Sequence, residues 1–370
     1  YAFANAVEQV YAAAGYVLAR VVLPPQHLRD GGPIRLLVID GQIEAVDVSG
    51  VPERVRAVVA GRTASLVGVP RLTLAEIERR LLIAGDTPGV RLKSTLMRGQ
   101  RDGGTRLVLE GTHRLLSGSI GLDNRLDASF GRWQLNGNFA LNSPFGFGEQ
   151  FYGAVGSGTD LGQAFGAEAR LRLFGGGAVI PLGSDGWTIN PEYTHSQTQP
   201  TPLPGAPATR GTFERLALRS SYPLIRTRTQ ALNVDVSLEA IRQRTEALGF
   251  GVDLSRYRYA VLRAGATYGA AFPWGMTTQA NATYSQGLGG RDRADVAASL
   301  VPLSRFGGDP DFSKLAASVR VVQSLPWEMQ FDLTARAQWA FNQPMLSSEQ
   351  FSLDGLDQVS AFAAGTFNVD

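Results

Sequence analysis

The stretch EMQFDLTARAQWAF, Glu328–Phe341, decides the fold. Its odd positions are Met329, Phe331, Leu333, Ala335, Ala337, Trp339 and Phe341; its even positions are Glu328, Gln330, Asp332, Thr334, Arg336, Gln338 and Ala340. One face is apolar and the other almost wholly polar, with period two over 14 residues. Successive side chains of a strand point to opposite faces, so this is a strand longer than the usual globular one.

The pattern recurs upstream. In 132–142 Trp133, Leu135, Phe139 and Leu141 oppose Arg132, Gln134, Asn136 and Asn138. In 167–173 Ala167, Ala169, Leu171 and Leu173 oppose Glu168, Arg170 and Arg172. In 232–238 Leu232, Val234, Val236 and Leu238 oppose Asn233, Asp235 and Ser237, and in 276–286 the polar face is Thr277, Gln279, Asn281, Thr283 and Ser285. A soluble sandwich also alternates, but turns its apolar face to a dry core. Here the polar face carries many charges, and aromatic residues stand near strand ends (Trp133, Trp187, Tyr193, Tyr222, Trp274, Tyr284, Trp327, Trp339). Apolar residues out, polar residues in and aromatic girdles describe a transmembrane antiparallel β-barrel. In hydrocarbon every backbone group must pair internally, so such a sheet must close.

Turn spacing agrees. Short turns are expected at 143–148, 183–186, 225–229, 273–275 and near Pro326, and long loops at 156–163, 200–211, 248–256 and 287–311. Short turns on one side with long loops on the other is the outer-membrane arrangement, and the count gives about 11 strands where a single bacterial chain has an even number. The C-terminal strands are therefore expected beyond Asp370, and the Tyr1 start without Met or signal peptide reads as a fragment or a processed chain.

Residues 1–113 have a different period. Helices are expected at 3–14, 51–66 and 74–83 and strands at 17–23, 34–39, 43–48, 91–97 and 105–110, a mixed α/β region with β-α-α-β-β order from 43 onward. Thr73 and Glu76 have capping-box spacing. The expected organisation is a partial α/β module at 1–42, a second at 43–113 and the barrel from 114 to 370.

Composition limits the chemistry. The chain has 370 residues, 43 Gly, no Cys, three His (27, 113 and 195) and a net charge of +2. Disulfides, thiol nucleophiles and cysteine metal sites are excluded. No Gly-Lys-Ser/Thr phosphate loop follows a strand, and no metal spacing or triad is present; Ser347-Ser348-Glu349 lacks a nearby His. An enzyme, a cofactor, a metal, a nucleotide and a nucleic-acid partner are not expected. Gly175–Gly177 and Gly287–Gly290 are expected to mark bends or close backbone approach.

Three stretches resemble the outer-membrane transporters of two-partner secretion, relatives of hemolysin and filamentous-hemagglutinin exporters. LTLAEIERRLLIAGDTPGVRLKSTLMRGQRDGGTRLVLE (72–110) is similar to that family's second POTRA module. LRSSYPLIRTRTQALNVDVSLE (218–239) is similar to a strand–periplasmic turn–strand of its barrel. QWAFNQPMLSSEQFSLDGLDQVSAF (338–362) resembles the segment leading into its sixth extracellular loop. Pro24-Pro25-Gln26 after GYVLARVVL resembles the end of its first POTRA module. The resemblance implies a barrel of roughly 16 strands, an even number as bacterial barrels have, preceded by POTRA modules, with a loop folded into the pore. That loop carries Val-Arg-Gly-Tyr/Phe in the family; here Val359, Ser360, Ala361 and Phe362 stand at the tip, and Ser cannot form the bidentate pair that Arg can.

The function implied is export of a secreted partner protein, of β-helical kind, across the outer membrane, whose lipids surround the barrel. Ile77, Glu78, Arg79, Leu81, Leu82, Arg91, Lys93 and Thr95 are the candidate docking surface, where an extended segment would add to a sheet edge. Asp332, Arg336, Arg170, Arg172, Asp235 and Glu239 are expected to line the lumen. Ser347, Ser348, Glu349, Gln350 and Phe351 form the approach to the loop. Inward charges also serve simply to solvate a lumen, and Glu78-Arg79 fits an internal pair as well as a docking contact. The competing readings are a barrel-assembly or insertion factor, the membrane half of a fused autotransporter, and a plugged barrel serving a surface scaffold.

Overall fold

A computed structural model describes residues 2–27, 32–124, 126–158, 166, 169–291, 293–303, 305, 307–352 and 368–369. The N-terminal part begins with helix α1 (Ala2–Ala13) and a two-stranded ladder of β1 (Arg20–Val22) and β2 (Leu37–Ile39). A second α/β unit follows: β3 (Gln42–Gly50), α2 (Glu53–Thr63), a 3-10 turn at Ala64–Leu66, α3 (Leu74–Gly85), β4 (Val90–Arg98) and β5 (Gly104–His113). The β-α-α-β-β order expected from 43 onward is what forms. β3 runs parallel to β5, and β4 pairs antiparallel with β5 on its other side, so β4 is an edge strand.

The expected capping box is made. Thr73 Oγ1 accepts from the Glu76 amide at 3.3 Å, and the Glu76 carboxylate accepts from the Thr73 amide at 2.9 Å. The apolar stripe of α3 and that of α2 then meet over the sheet, burying Ile43, Val55, Val59, Leu66, Ile77, Ala84, Leu107 and Leu109. Leu18, from the stretch preceding β1, enters the same core. Arg62 lies in this interior, 4% exposed, and its guanidinium donates to the Ile83 carbonyl and to Thr87 Oγ1, each at 2.8 Å, tying α2 to the end of α3.

From Leu116 the chain is an antiparallel meander of eleven strands, agreeing with the count read from the turns. These are β6 (Leu116–Asp123), β7 (Gln134–Asn142), β8 (Gln150–Gly158), β9 (Leu171–Leu182), β10 (Trp187–Thr198), β11 (Thr209–Arg226), β12 (Gln230–Ala247), β13 (Val252–Ala271), β14 (Met276–Gly290), β15 (Ser313–Ser324) and β16 (Gln330–Trp339). Each pairs with its sequence neighbours, and β6 and β16 form the two edges among the described residues. Helix α4 (Arg293–Ser299) lies in the long β14–β15 connection.

The side-chain parity matches the expected inversion. Outward-facing Val236, Leu238, Leu216, Leu218, Leu333 and Trp339 are all exposed, while Asp235, Ser237, Glu239, Arg263, Ser285 and Lys314 share the opposite face through the registers. Large apolar side chains left open on one face of a sheet need an apolar solvent.

Two readings are corrected. The loop expected at 248–256 shrinks to four residues, because β12 and β13 continue to Ala247 and from Val252. Beyond the apolar band both faces meet polar surroundings, so the ladder goes on while the apolar alternation that signals it stops. Arg172 pairs with Ser157 and Gln197 and shares their face with Phe174 and Tyr193, so it stands on the outer face near the rim rather than in the lumen. Of the alternation expected at 167–173 only the part from Leu171 falls in a strand, where Leu171 and Leu173 are the inward set; Arg170 is an exposed residue just ahead of β9.

The glycine runs behave as expected of close approaches. A Cβ on Gly287 would fall 1.9 Å from the Pro310 carbonyl oxygen, and one on Gly177 would fall 2.6 Å from that of Pro191.

Placing a charge in the middle of the outward band tests the orientation. Val236→Arg is expected to lower barrel stability by about 2–4 kcal/mol, whereas an inward neutralisation such as Asp332→Asn changes it by much less. Equilibrium unfolding from lipid vesicles checks both.

Candidate functional site: the loop root and the module clamp

The inner wall of β12–β15 carries a feature that a uniformly polar lumen would not have. Ile241, Tyr257, Tyr259 and Val261 point inward and are buried beneath Leu303, Phe312, Ala340, Met345 and Leu346. The chain leaving β16 therefore turns back over the wall it has just left. A 3-10 turn at Ser347–Glu349 ends that segment and places Glu349 at the wall, 2% exposed.

Its carboxylate accepts from Arg263 Nη2 at 2.7 Å and Nη1 at 3.2 Å, from Lys314 Nζ at 2.5 Å and from the Tyr259 hydroxyl at 2.6 Å. Arg263 is shared: its Nε donates to Glu239 at 3.2 Å and its Nη1 to Ser285 Oγ at 2.8 Å. The Glu349 carbonyl accepts from Lys314 Nζ at 3.0 Å and Gln338 Nε2 at 3.2 Å. Two carboxylates thus face two cations, with hydroxyls filling the remaining positions. A buried charge cluster is tolerable only when balanced and hydrogen-bonded in this way. The arrangement ties the segment after β16 to the inner wall.

The second site joins the α/β unit to the barrel. Arg79 Nη1 donates to the Pro223 carbonyl at 3.0 Å, and its guanidinium lies over the Tyr222 ring. Arg80 pairs with Asp185 at 2.9 Å, Arg226 with Asp86 at 2.6 Å and Arg228 with Glu78 at 3.2 Å. Arg54 of α2 donates to the Pro144 carbonyl. Asp185 and Arg228 lie in short turns, and Pro223 and Arg226 in the last residues of β11 before one of them, so these turns mark the end of the barrel next to the α/β unit.

The expected site residues divide accordingly. Glu78 and Arg79 make pairs within the chain, to the barrel turns. Ile77 is 3% exposed in the module core, so it supports α3 from beneath and offers no surface, a correction to its place among the docking residues. Leu81, Leu82, Arg91 and Lys93 do line one groove between α3 and β4, closed at one end by Arg226 and Arg228, and Thr95 lies exposed further along β4. Glu239 faces inward within the Arg263 cluster, Asp332 pairs with Arg320 on the same inner face, Asp235 lies opposite Gly265, and Arg336 is exposed there. Ser348 Oγ is 3.0 Å from the Tyr259 hydroxyl; Ser347 opens the 3-10 turn, and Gln350 and Phe351 follow it. The tip residues Val359, Ser360, Ala361 and Phe362 lie outside the described residues. Tyr259, Arg263 and Lys314 were absent from the expected set. Their inward parity was readable in the sequence, but not their meeting with Glu349.

These features define an outer-membrane β-barrel carrying POTRA-type α/β structure at one end. The family profile described as haemolysin secretion/activation protein ShlB/FhaC/HecB matches residues 103–367, and that of the ShlB-type POTRA domain matches residues 1–41. The chain belongs to the ShlB/FhaC/HecB family, and its barrel sits in the outer membrane with the POTRA structure on the periplasmic side.

Among its relatives, the outer membrane transporter CdiB of Dickeya dadantii (strain 3937) is 25% identical over 197 residues, covering 53% of this chain and 33% of that protein. The heme/hemopexin transporter protein HuxB of Haemophilus influenzae (strain 86-028NP) is 24% identical over 149 residues, covering 40% and 26%. The match with CdiB thus spans about a third of that relative's length. The solved structure of CdiB from Escherichia coli is similar at a TM-score of 0.74, with 21% identity over 98% of this chain and 65% of that one. BamA from Haemophilus ducreyi lacking POTRA domains 1-3 is similar at 0.55, with 11% identity over 98% and 69%. Both structural likenesses concern the fold.

Removing Glu349 leaves Arg263 and Lys314 under-compensated in a buried setting. Glu349→Ala is expected to loosen the loop root by about 3 kcal/mol, read as an increase of about 100-fold in hydrogen exchange over 345–351. Glu349→Gln, which keeps the shape and part of the hydrogen bonding, is expected to fall between.

Proposed function

We propose that this chain forms the pore and docking region of a transporter that passes a secreted partner protein from the periplasm to the cell surface. The observation that carries it is a free sheet edge, β4, beside the groove under α3, held against the short turns of a barrel whose inner face is polar. An extended segment of an unfolded partner adds to β4 as a strand, its side chains alternating between the groove and solvent. Leu81 and Leu82 supply the apolar floor; Arg91 and Lys93 supply the charge. Residues 43–113 act as the second POTRA module and 1–42 as part of the first. The clamp of Arg79, Arg80, Asp86 and Arg226 keeps that edge at a fixed place relative to the pore mouth.

The partner then moves along inward-facing polar groups, among them Asp332, Arg336 and Asp235, which solvate a passing chain without binding it tightly. The Glu349 cluster holds the segment after β16 against the wall throughout, upstream of the loop tip in the chain. This gives the loop a hold that does not depend on an Arg at position 360. Folding of the partner outside, as a β-helix, supplies direction without nucleotide.

Deleting residues 43–113 is expected to abolish partner release while the barrel still inserts; undiminished secretion from an inserted barrel sinks the docking role. The double charge reversal Arg91→Glu/Lys93→Glu is expected to cut partner binding by about tenfold, chiefly by slowing association. Pull-down of the partner by the detergent-solubilised protein measures it.

A further inference from the structure

The outward residues of β12 read, from the periplasmic side, Leu232, Val234, Val236, Leu238, Ala240, Arg242 and Arg244. Their registered neighbours on β13 are Tyr268, Ala266, Ala264, Leu262, Ala260, Arg258 and Arg256. The apolar band stops at the same rung on both strands. From Leu232 to Ala240 the rise is about 26 Å along the strand, or roughly 20 Å vertically at ordinary barrel tilt, close to the height of a barrel's apolar belt. The Arg242–Arg258 rung therefore stands at the headgroup level of the outer leaflet.

Like charges directly opposite one another destabilise a ladder, yet here two successive rungs hold four arginines. Arg244 and Arg256 share Asp253, at 2.5 Å and 3.8 Å. Arg242 and Arg258 are exposed, and neither makes an ion pair among the described residues. Glu214, opposite Arg242 on β11, lies with His195 at 3.6 Å and the Tyr193 hydroxyl at 3.4 Å. All four arginines line one cleft with Thr212, Glu214 and Arg291, and the Arg291 guanidinium is engaged by the Arg256 and Val301 carbonyls. Asp295 of α4 stands at its margin.

We propose that this cleft binds the phosphate of a phosphorylated lipid headgroup in the outer leaflet, with Arg242 and Arg258 as its principal ligands. A guanidinium fork matches phosphate oxygens bidentately. The occupant is a lipid rather than a free anion because Arg242 and Arg258 stand on the same outward face as the apolar band, on the rung next to Ala240–Ala260. Leu238 and Leu262, on the outward rung four residues below, are 51% and 40% exposed and offer a surface for acyl chains. A single ligand thus satisfies the charged rungs and the apolar ones together. The inference rests on the outer-membrane placement of the barrel and is independent of export.

The test uses the detergent-solubilised protein and three additives: bis-phosphorylated lipid A, the same lipid A after phosphatase treatment, and inorganic phosphate. Heat-induced loss of the folded barrel on a gel is the readout. Bis-phosphorylated lipid A is expected to raise the unfolding temperature, with dephosphorylated lipid A and inorganic phosphate having little effect. Arg242→Gln/Arg258→Gln is expected to weaken the response by about 30-fold in lipid concentration, at the usual strength of an Arg near an anionic lipid surface. The inward Arg336→Gln is expected to respond as the unaltered protein does. Equal responses to the two lipid A forms overturn the proposal, even if the double variant fails to fold. So does a folded double variant that responds normally. A response to inorganic phosphate matching that to lipid A overturns the lipid assignment.

Discussion

Backbone amides and carbonyls cannot be left unpaired in hydrocarbon, and the whole membrane portion of this chain follows from that. The ladders run without interruption from β6 to β16, and each fixes which face every residue occupies. A slip of one residue would exchange the two faces, putting Asp235, Glu239 and Arg263 into lipid and Val236 and Leu238 into the lumen. Register irregularities are accordingly few in the five ladders of β11–β16: at Pro223/Ile225 beside a periplasmic turn, at Thr245/Glu246 above the apolar band, and at Tyr259/Val261 where β14 gives way to its long connection. The inner-face cluster around Glu349 exists because parity carries Glu239, Arg263, Ser285 and Lys314, on four successive strands, to one spot.

How much of this the sequence discloses depends on whether a signal is local. Alternation in 232–238 is local, and so is the Thr73–Glu76 cap; both are made as read, while the alternation of 328–341 becomes a strand only over Gln330–Trp339, its ends turning at Glu328 and Phe341. The sidedness of the turns is also local, since Gly183–Gly186 and 227–229 are too short to be anything but hairpins. Where lipid ends, the signal ends: Arg242, Arg244, Arg256 and Arg258 break the apolar alternation, and a continuing ladder looks like a loop. Arg172 fails for another reason. Near a rim either face can be polar, so alternation alone cannot say which set points inward.

The Glu349 cluster was half visible. Glu349 sits in a stretch the family likeness singles out, but its partners lie 86, 90 and 35 residues away. Only the registers of β12 to β15, together with a reversal of the chain after β16, bring them together. Glu78 and Arg79 illustrate the same limit on the periplasmic side. Two charges on a helix surface read equally as a docking patch or as solvated pairs, and their partners, Arg228 and Pro223, are supplied by a barrel turn and the strand end before it, about 150 residues on.

The sheet order is the chain order, and this bears on how the molecule comes to exist. Within the described meander each strand pairs with the one made just before it, and the longest connection there is that between Gly290 and Ser313. Closure entropy grows only slowly with such lengths, so each hairpin can form against the one before it. A barrel wall of this kind can be laid down progressively, strand by strand, with one edge advancing while β6 holds the other. The residues around Glu349 follow the eleven strands of the meander in the chain. Their pairing can lock only when β12 to β15 are already side by side, which makes it a late checkpoint on correct assembly.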